Sequence, residues 1–241
     1  FAVEATSDGG CITTGYVSSN NGDVTNNHGT RDIWVVKLGN TGSINWQKCY
    51  GGSGMERGWA IKPVAGGYVI AGETVSNDGD VSGNHTYGSD FWLVKIDIAG
   101  NILWQKCYGG NKNEIAYALD ITPDGGYIVA GSTESDDGDL NCNGGITDVW
   151  VIKVNSTGIL EWQKNVGGNL YEEAYAVRTV KAGEYIIAGI TCSKDVTGYH
   201  PPQGGNGSCG DFLVIKLVTP AAVPSPVVSI NPSSGKVCAG S

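Results

Sequence analysis

An acidic, amide-rich loop occurs three times in this chain and offers the best candidate oxygen ligands for a metal ion. Each copy groups Asp, Asn and Gly residues and is followed by an Asp that opens an apolar stretch. Oxygen donors at alternating positions around a Gly turn are ligands that Ca²⁺ prefers. The candidate calcium ligands are Asp23, Asn27 and Asp32 in the first copy, Asp78, Asp80, Asn84 and Asp90 in the second, and Asp137, Asp139, Asn143 and Asp148 in the third.

A purely structural interpretation of these loops stays open. Asp, Asn and Gly are also common turn formers, because Asx side chains hydrogen-bond to nearby backbone groups. The loops do not follow the EF-hand pattern, and no Glu closes them. We therefore carry two hypotheses for the loops, bound Ca²⁺ and structural turns.

The histidines and cysteines favour structural roles. His28 and His85 occupy matching places, but one His per repeat does not make a converging zinc site, so a hydrogen-bonding role is predicted. Cys192 and Cys209 flank the longest loop, where antiparallel pairing of the flanking strands would allow a disulfide. Cys49 and Cys107 are equivalent in neighbouring repeats and should lie too far apart to pair. The pairing of Cys11, Cys49, Cys107, Cys142 and Cys238 otherwise stays open, since the total of 7 Cys is odd.

Composition excludes several functions. The net charge of −9 argues against nucleic acid as a partner, because phosphate binding needs clustered Lys and Arg. No apolar run is long enough to cross a bilayer. The chain has 3 His and no nucleophile or phosphate-loop motif, so little general-base capacity is present. These features predict a protein that is not an enzyme.

The elements that position the loops form a long repeat. Trp34, Trp92 and Trp150 are spaced by 58 residues. A period of this length, made of short strands with Gly-rich turns, predicts an all-β fold built as a β-propeller of four-stranded blades. Four repeats are visible, and the first and last are incomplete.

Each repeat contains four strand candidates, named a to d. Strand a is expected at Trp59–Val64, Tyr117–Thr122 and Tyr175–Val180, with Phe1–Thr6 as its remnant in the first repeat. Strand b is expected at Tyr68–Thr74, Tyr127–Thr133 and Tyr185–Thr191. Strand c is expected at Ile33–Leu38, Phe91–Ile96, Val149–Val154 and Phe212–Leu217, apolar on both faces and therefore covered on both sides. Strand d is expected at Ile44–Tyr50, Ile102–Tyr108 and Leu160–Val166.

The chain divides into three segments. Residues 1–218 hold the propeller repeats, 219–226 form a Pro-rich linker, and 227–241 follow it. Two hypotheses remain for the last segment. It either starts a following immunoglobulin-like β module or adds an edge strand to its own or a neighbouring chain.

The repeated Trp46, Trp104 and Trp162 have two interpretations. They could form a carbohydrate-stacking surface, but packing between blades is favoured because Trp buries a large area. The Lys that ends each strand c is expected either to extend its aliphatic stem along apolar surface or to meet a carboxylate at the blade edge.

Several motifs together resemble the tandem propeller-type repeats of secreted bacterial surface proteins, many of them cargo of the type IX secretion system. The motifs are Asp124-Gly-Gly-Tyr-Ile-Val-Ala-Gly, the loop from Ser76 to His85, Asp90-Phe-Trp-Leu-Val-Lys and Ile102-Leu-Trp-Gln-Lys. The resemblance covers roughly residues 1–217, and the fourth repeat departs most, between Cys192 and Cys209. It implies an extracellular or cell-surface location and modular construction, and it names no reaction.

The sequence therefore predicts a secreted, non-enzymatic structural or adhesive module whose loops Ca²⁺ could stiffen. Its partners would be other modules of the same polypeptide or neighbouring subunits. A glycan-binding propeller and a fibre subunit assembled by strand exchange remain as alternatives.

Overall fold

The protein is all-β, as predicted. The computed structural model describes residues 1–85, 87–140, 143–193, 196, 210–219, 227–230 and 236–237. In this part of the chain the regular structure consists of strands, which form four antiparallel sheets. No helix within it is long and apolar enough to span a bilayer. The arrangement of the sheets as a propeller stays a prediction.

The sheets follow one another in chain order. Sheet 1 contains β1 (Ala2–Ala5), β2 (Cys11–Val17), β3 (Asp32–Leu38) and β4 (Ile44–Tyr50). Sheet 2 contains β5 (Glu56–Val64), β6 (Gly67–Thr74), β7 (Asp90–Asp97) and β8 (Ile102–Tyr108). Sheet 3 contains β9 (Glu114–Ile121), β10 (Tyr127–Thr133), β11 (Asp148–Val154) and β12 (Leu160–Gly167). Sheet 4 contains β13 (Glu172–Lys181), β14 (Glu184–Thr191), β15 (Asp211–Val218) and β16 (Val227–Ile230), and β17 (Lys236–Val237) pairs with the edge of sheet 3.

The predicted strands b, c and d agree with the observed ones to within one or two residues, but the predicted starts of strand a are wrong. Strand a begins at Glu56, Glu114 and Glu172, three residues before the predicted Trp59, Tyr117 and Tyr175. The early start brings a glutamate into each of sheets 2, 3 and 4. Apolar periodicity cannot reveal such a residue, because a carboxylate is buried only where donors are brought to it.

The chain divides into two compact units, residues 1–116 and 117–241. We call the face of each sheet that carries Ile33 and Val35, or their equivalents, the front, and the opposite face the back. In the first unit, the front of sheet 1 packs on the back of sheet 2, represented by Ile61, Ile70 and Val94. These five side chains are at most 1% exposed.

The second unit repeats this contact between sheets 3 and 4. Val149 and Val151 on the front of sheet 3 pack on Val177, Ile187 and Ile215 on the back of sheet 4. Each unit therefore has an apolar core between two successive sheets.

Two of the repeated tryptophans pack between sheets. Trp46 lies 6.3 Å from Tyr68, ring centroid to ring centroid, and donates to the carbonyl oxygen of Ile98. Trp162 lies 5.7 Å from Tyr185 in the second unit. These contacts give both indoles the packing role that the sequence favoured.

Sheet 4 departs from the expectation that every strand c is covered on both faces. Phe212 is 76% exposed and Val214 is 40% exposed, whereas the equivalent residues of β11, Val149 and Val151, are fully buried. Val227–Ile230 pairs with β15 and takes the fourth position of this sheet, as an edge strand. The rest of the predicted 219–226 linker and 227–241 segment lies largely outside the described residues.

Candidate metal centre at the sheet junctions

A buried glutamate opens the first strand of sheets 2, 3 and 4. Glu56, Glu114 and Glu172 are spaced by 58 residues and are all 0% exposed. The backbone N–H of each donates to the carbonyl oxygen of the residue before the strand c aspartate of the preceding repeat. These bonds reach Arg31 at 2.8 Å, Ser89 at 2.6 Å and Thr147 at 2.8 Å. The glutamate is thereby held beside that aspartate.

Each glutamate carboxylate accepts hydrogen bonds from its surroundings. Glu56 accepts from the Gly52 N–H at 2.9 Å and from the Thr74 hydroxyl at 2.8 Å. Glu114 accepts from the Gly110 N–H at 2.8 Å. Glu172 accepts from the Gly168 N–H at 2.7 Å and from the Thr191 hydroxyl at 2.6 Å. Donors of this kind favour the ionised carboxylate.

The aspartate at the start of strand c accepts hydrogen bonds from the end of the loop that precedes it. Asp32 Oδ2 accepts from the His28 N–H at 2.9 Å and lies 2.6 Å from His28 Nδ1. Asp90 Oδ2 makes the same contacts with His85, at 3.1 and 2.8 Å. Asp148 Oδ2 accepts from the Gly144 N–H at 2.7 Å. The histidines thus have a hydrogen-bonding role at the loop ends.

The aspartate and the glutamate face each other across a glycine. A β-carbon on Gly51 would lie 2.3 Å from Glu56 Oε2 and 2.9 Å from Asp32 Oδ1. A β-carbon on Gly109 would lie 2.5 Å from Asp90 Oδ1 and 2.6 Å from Glu114 Oε2. We call these pairs, together with Asp148 and Glu172, the junction carboxylates. Only glycine leaves room for two carboxylates at this place.

Some oxygens at the junctions have no donor among the described residues. Asp32 Oδ1 and Asp90 Oδ1 are buried without a hydrogen-bond partner, and both aspartates are 0% exposed. Asn27 Oδ1 and Asn84 Oδ1, in the preceding loops, are likewise buried and unpartnered. A buried acceptor without a donor costs free energy, and this cost recurs at equivalent places in two sheets.

The electrostatics agree with this geometry. Burial raises the pKa of Asp90 to about 6, and the nearby Glu114 adds to the rise, against the opposing hydrogen bonds from His85. Burial also raises the pKa of Glu56, and Asp32 contributes in the same direction. Each pair therefore favours a positive species, either a proton or a cation, between its carboxylates.

The loop acids of the second repeat anchor the loop to a neighbouring turn. Asp78 Oδ1 accepts from the Ser53 N–H at 2.8 Å, and this bond lowers the Asp78 pKa. Asp80 Oδ2 accepts from the Gly51 N–H at 3.3 Å. These carboxylates bind the turn that follows β4, so their first role is structural.

The remaining predicted ligands are dispersed. Asp23 is exposed in its loop. Asp139 accepts through its backbone carbonyl from the Gln163 side chain, and Asp137 accepts through its carbonyl from Leu140 N–H. Asn143 Oδ1 accepts from the Gly145 N–H at 3.0 Å. Within the described residues, no three His, Cys, Asp or Glu side chains converge as a metal-binding group. A cation at a junction would therefore also need amide, backbone or water oxygens.

The residues that fit such a cation are the junction carboxylates with the amide that precedes them. In the second repeat these are Asp90, Glu114 and Asn84, which is 9% exposed. In the first repeat they are Asp32, Glu56 and Asn27. Hard oxygen donors of this kind suit Ca²⁺.

A second repeated element was missed from sequence. Trp34, Trp92 and Trp150 each donate through the indole N–H to a glutamine of strand d, at 2.8, 2.8 and 2.7 Å. Gln47 then donates to the Thr25 hydroxyl at 2.6 Å, and Gln105 to the Ser82 hydroxyl at 2.6 Å. The glutamine thus connects the sheet to the loop, and its 58-residue spacing was the signal that could have revealed it.

Some of the cysteines in the predicted pairings lie within the described residues. Cys49 and Cys107 are not joined to each other, as predicted. Burial raises the pKa of Cys49 to about 11, with a further contribution from Asp32. Cys209, Cys142 and Cys238 lie outside the described residues, so the Cys192–Cys209 disulfide stays a prediction.

Comparisons with known proteins give little functional guidance. No protein-family model matches the chain. Over 150 residues it is 29% identical to the regulatory protein FlaEY of Caulobacter vibrioides, which covers 57% of this chain and 16% of that protein. The chain therefore spans less than a fifth of this relative. An apocarotenoid oxygenase from Synechocystis aligns over 83% of this chain and 46% of its own, with a TM-score of 0.40 and 14% identity, too low to carry an argument.

Proposed function

We propose that the chain is a non-enzymatic structural or adhesive module of an extracellular or cell-surface protein, resembling type IX secretion cargo. The observation behind this proposal is the repeated use of the same polar residues for construction. Glu56 and Glu172 anchor turns, and Gln47 and Gln105 anchor loops. These repeated polar side chains hydrogen-bond to the protein's own turns and loops. Such bonds hold the loops rigidly, which suits a structural or adhesive module.

We further propose that the four sheets are blades of a β-propeller. Three features support this arrangement. The repeat is 58 residues long, each sheet follows the strand order a to d, and successive sheets pack front to back within each unit. A propeller built in this way exposes its loops at the two ends of the blades.

Calcium at the junction carboxylates is the metal part of the proposal. Asp90 Oδ1 faces Glu114, and its lack of a donor is the feature that a bound cation would remedy. In the first unit, a groove of about 600 Å³ beside the equivalent loop is lined by Asn27, His28 and Asp80. Bound Ca²⁺ would neutralise both carboxylates and stiffen the loop, and no catalytic step is assigned to it.

Calcium titration of the chelated protein tests this proposal. We expect heat of binding and a rise in melting temperature of roughly 5 °C at saturating Ca²⁺, because the ligand binds only the folded state. Asp90→Asn should reduce the shift, whereas Asp23→Asn, in an exposed part of the loop, should leave it unchanged.

Two results would contradict the calcium assignment. The absence of both heat and thermal shift would remove Ca²⁺ from the proposal. A shift abolished by Asp23→Asn and kept by Asp90→Asn would place the ion in the loop and not at the junction.

A further inference from the structure

The front of sheet 4 is the one described front face whose strand c stands open. Phe212 is 76% exposed, while its equivalents Ile33, Phe91 and Val149 are fully buried. Val214 is 40% exposed, while the equivalents of this residue in the other three sheets are also fully buried. The strand sequence is thus as apolar as that of the covered strands, yet these two side chains are exposed.

The neighbouring strand shows the same difference. Every residue of β6 and β10 is buried, whereas β14 alternates between half-buried and buried residues along its length. The half-buried members Ile186 and Ile190 lie on the same front face as Phe212. An apolar surface that spans two strands is larger than the scattered exposed residues of an ordinary surface.

The back of sheet 1 is open at the complementary position. Val3 is 65% exposed, whereas its equivalents Ile61 and Val177 are 1% and 3% exposed. Ile61 packs on the front of sheet 1, and Val177 packs on the front of sheet 3. Val3 therefore occupies the repeat position that fills a front face in each unit, and here its side chain is exposed.

We propose that the front of sheet 4 binds the back of sheet 1 of a second copy of this chain. The contact would continue the front-to-back packing that each unit already contains, with Val3 of one copy placed against Phe212 and Val214 of the next. We infer a second copy as the partner because the same pair of faces already forms the core of both units. The two surfaces differ, so the association is head to tail and can extend beyond two copies. It goes beyond the proposed function and does not depend on calcium.

Sedimentation of the full chain over a micromolar to millimolar series, with chelator present, tests the proposal. We expect the average mass to rise with concentration. Phe212→Asp and Val3→Asp should each weaken association by at least about tenfold, because each places a charge in an apolar contact. Leu103→Asp, which changes a 55% exposed apolar residue of β8 in the same way, should associate like the unchanged chain.

A mixture of the two variants gives the sharpest result. Phe212→Asp keeps an intact sheet 1, and Val3→Asp keeps an intact sheet 4, so the mixture should form dimers and nothing larger. Melting temperatures near that of Leu103→Asp would show that both variants are folded. A chain that stays monomeric throughout, or association that Phe212→Asp leaves unchanged, would overturn the proposal.

Discussion

The two ends of strand c differ in the charges that meet there. At the start of the strand, Asp32 faces Glu56 and Asp90 faces Glu114, so like charges meet in buried surroundings. At the end of the strand, a lysine meets an acid that lies in, or directly after, the preceding hairpin turn. These ion pairs are Lys37–Asp8 at 2.7 Å, Lys153–Asp124 at 3.0 Å and Lys216–Glu184 at 3.2 Å.

The pKa values show what this difference means. Partial burial alone would raise the pKa of Asp124, but hydrogen bonds from Thr122, the Gly126 N–H and Lys153 outweigh it and lower the pKa to about 2. Burial raises the pKa of Asp90 to about 6. The lysine end is therefore complete within the chain. The aspartate end keeps buried oxygens, Asp32 Oδ1 and Asp90 Oδ1, without a donor among the described residues, which makes it the more informative end for function.

The largest expected effect is at the junction glycine. Gly51→Ala would place a methyl group 2.3 Å from Glu56 Oε2, an oxygen that is buried and held by the Gly52 N–H at 2.9 Å. We expect a loss of about 3 kcal/mol in the free energy of unfolding, measured by urea titration.

Gly42→Ala is the matched control for this substitution. Gly42 has a φ of 81°, and no atom lies within 4 Å of the position that a β-carbon would take there, so alanine meets strain without a clash. It should cost about 1 kcal/mol. Equal losses at the two glycines would mean that the junction is not tightly packed.

The next effect is on pH dependence without calcium. The folded pKa of Asp90, about 6, lies above its ordinary value of 3.8, so the folded state binds the proton more tightly. The resulting stability is present at low pH and is lost as the pH rises through 6. His85 and Glu114 are titratable groups that face Asp90.

We therefore expect the chelated protein to be about 1 kcal/mol more stable at pH 5 than at pH 7.5 from this residue, with Glu56 adding in the same direction. Urea unfolding at the two pH values measures the difference, and Asp90→Asn should reduce it. Saturating Ca²⁺ should help most at pH 7.5, because protons compete for the same oxygens. Stability that rises from pH 5 to 7.5 in chelator would contradict the assignment.

Sequence reasoning succeeded where a local pattern has one physical cause. Gly-rich turns and β-branched runs identified strands b, c and d, and the Trp spacing identified the repeat. It failed at Glu56, because a glutamate before Trp59 looks like loop until the Gly52 N–H and the Thr74 hydroxyl are brought to it. The Gly-Gly-x-x-x-Glu spacing at 51–56, 109–114 and 167–172 was present but has no apolar signature.

The sequence also could not distinguish Phe212 from Val149. Both follow an aspartate in nearly the same strand, yet one is exposed and the other is buried. Burial of a sheet face depends on what packs against it, and the sequence of the strand does not determine that.

The smallest expected effect is at the lysine end. The Asp124 side chain is 59% exposed, and Lys153 also contacts Glu161 at 2.7 Å, so Asp124→Asn leaves the lysine with an acid. Solvent screening keeps such a pair weak, and we expect a loss of less than about 1 kcal/mol that shrinks further in high salt. Urea unfolding at low and high salt measures it. A loss as large as that of Gly51→Ala would mean that the lysine end, like the junction, depends on a single contact, and the contrast between the two ends of strand c would not hold.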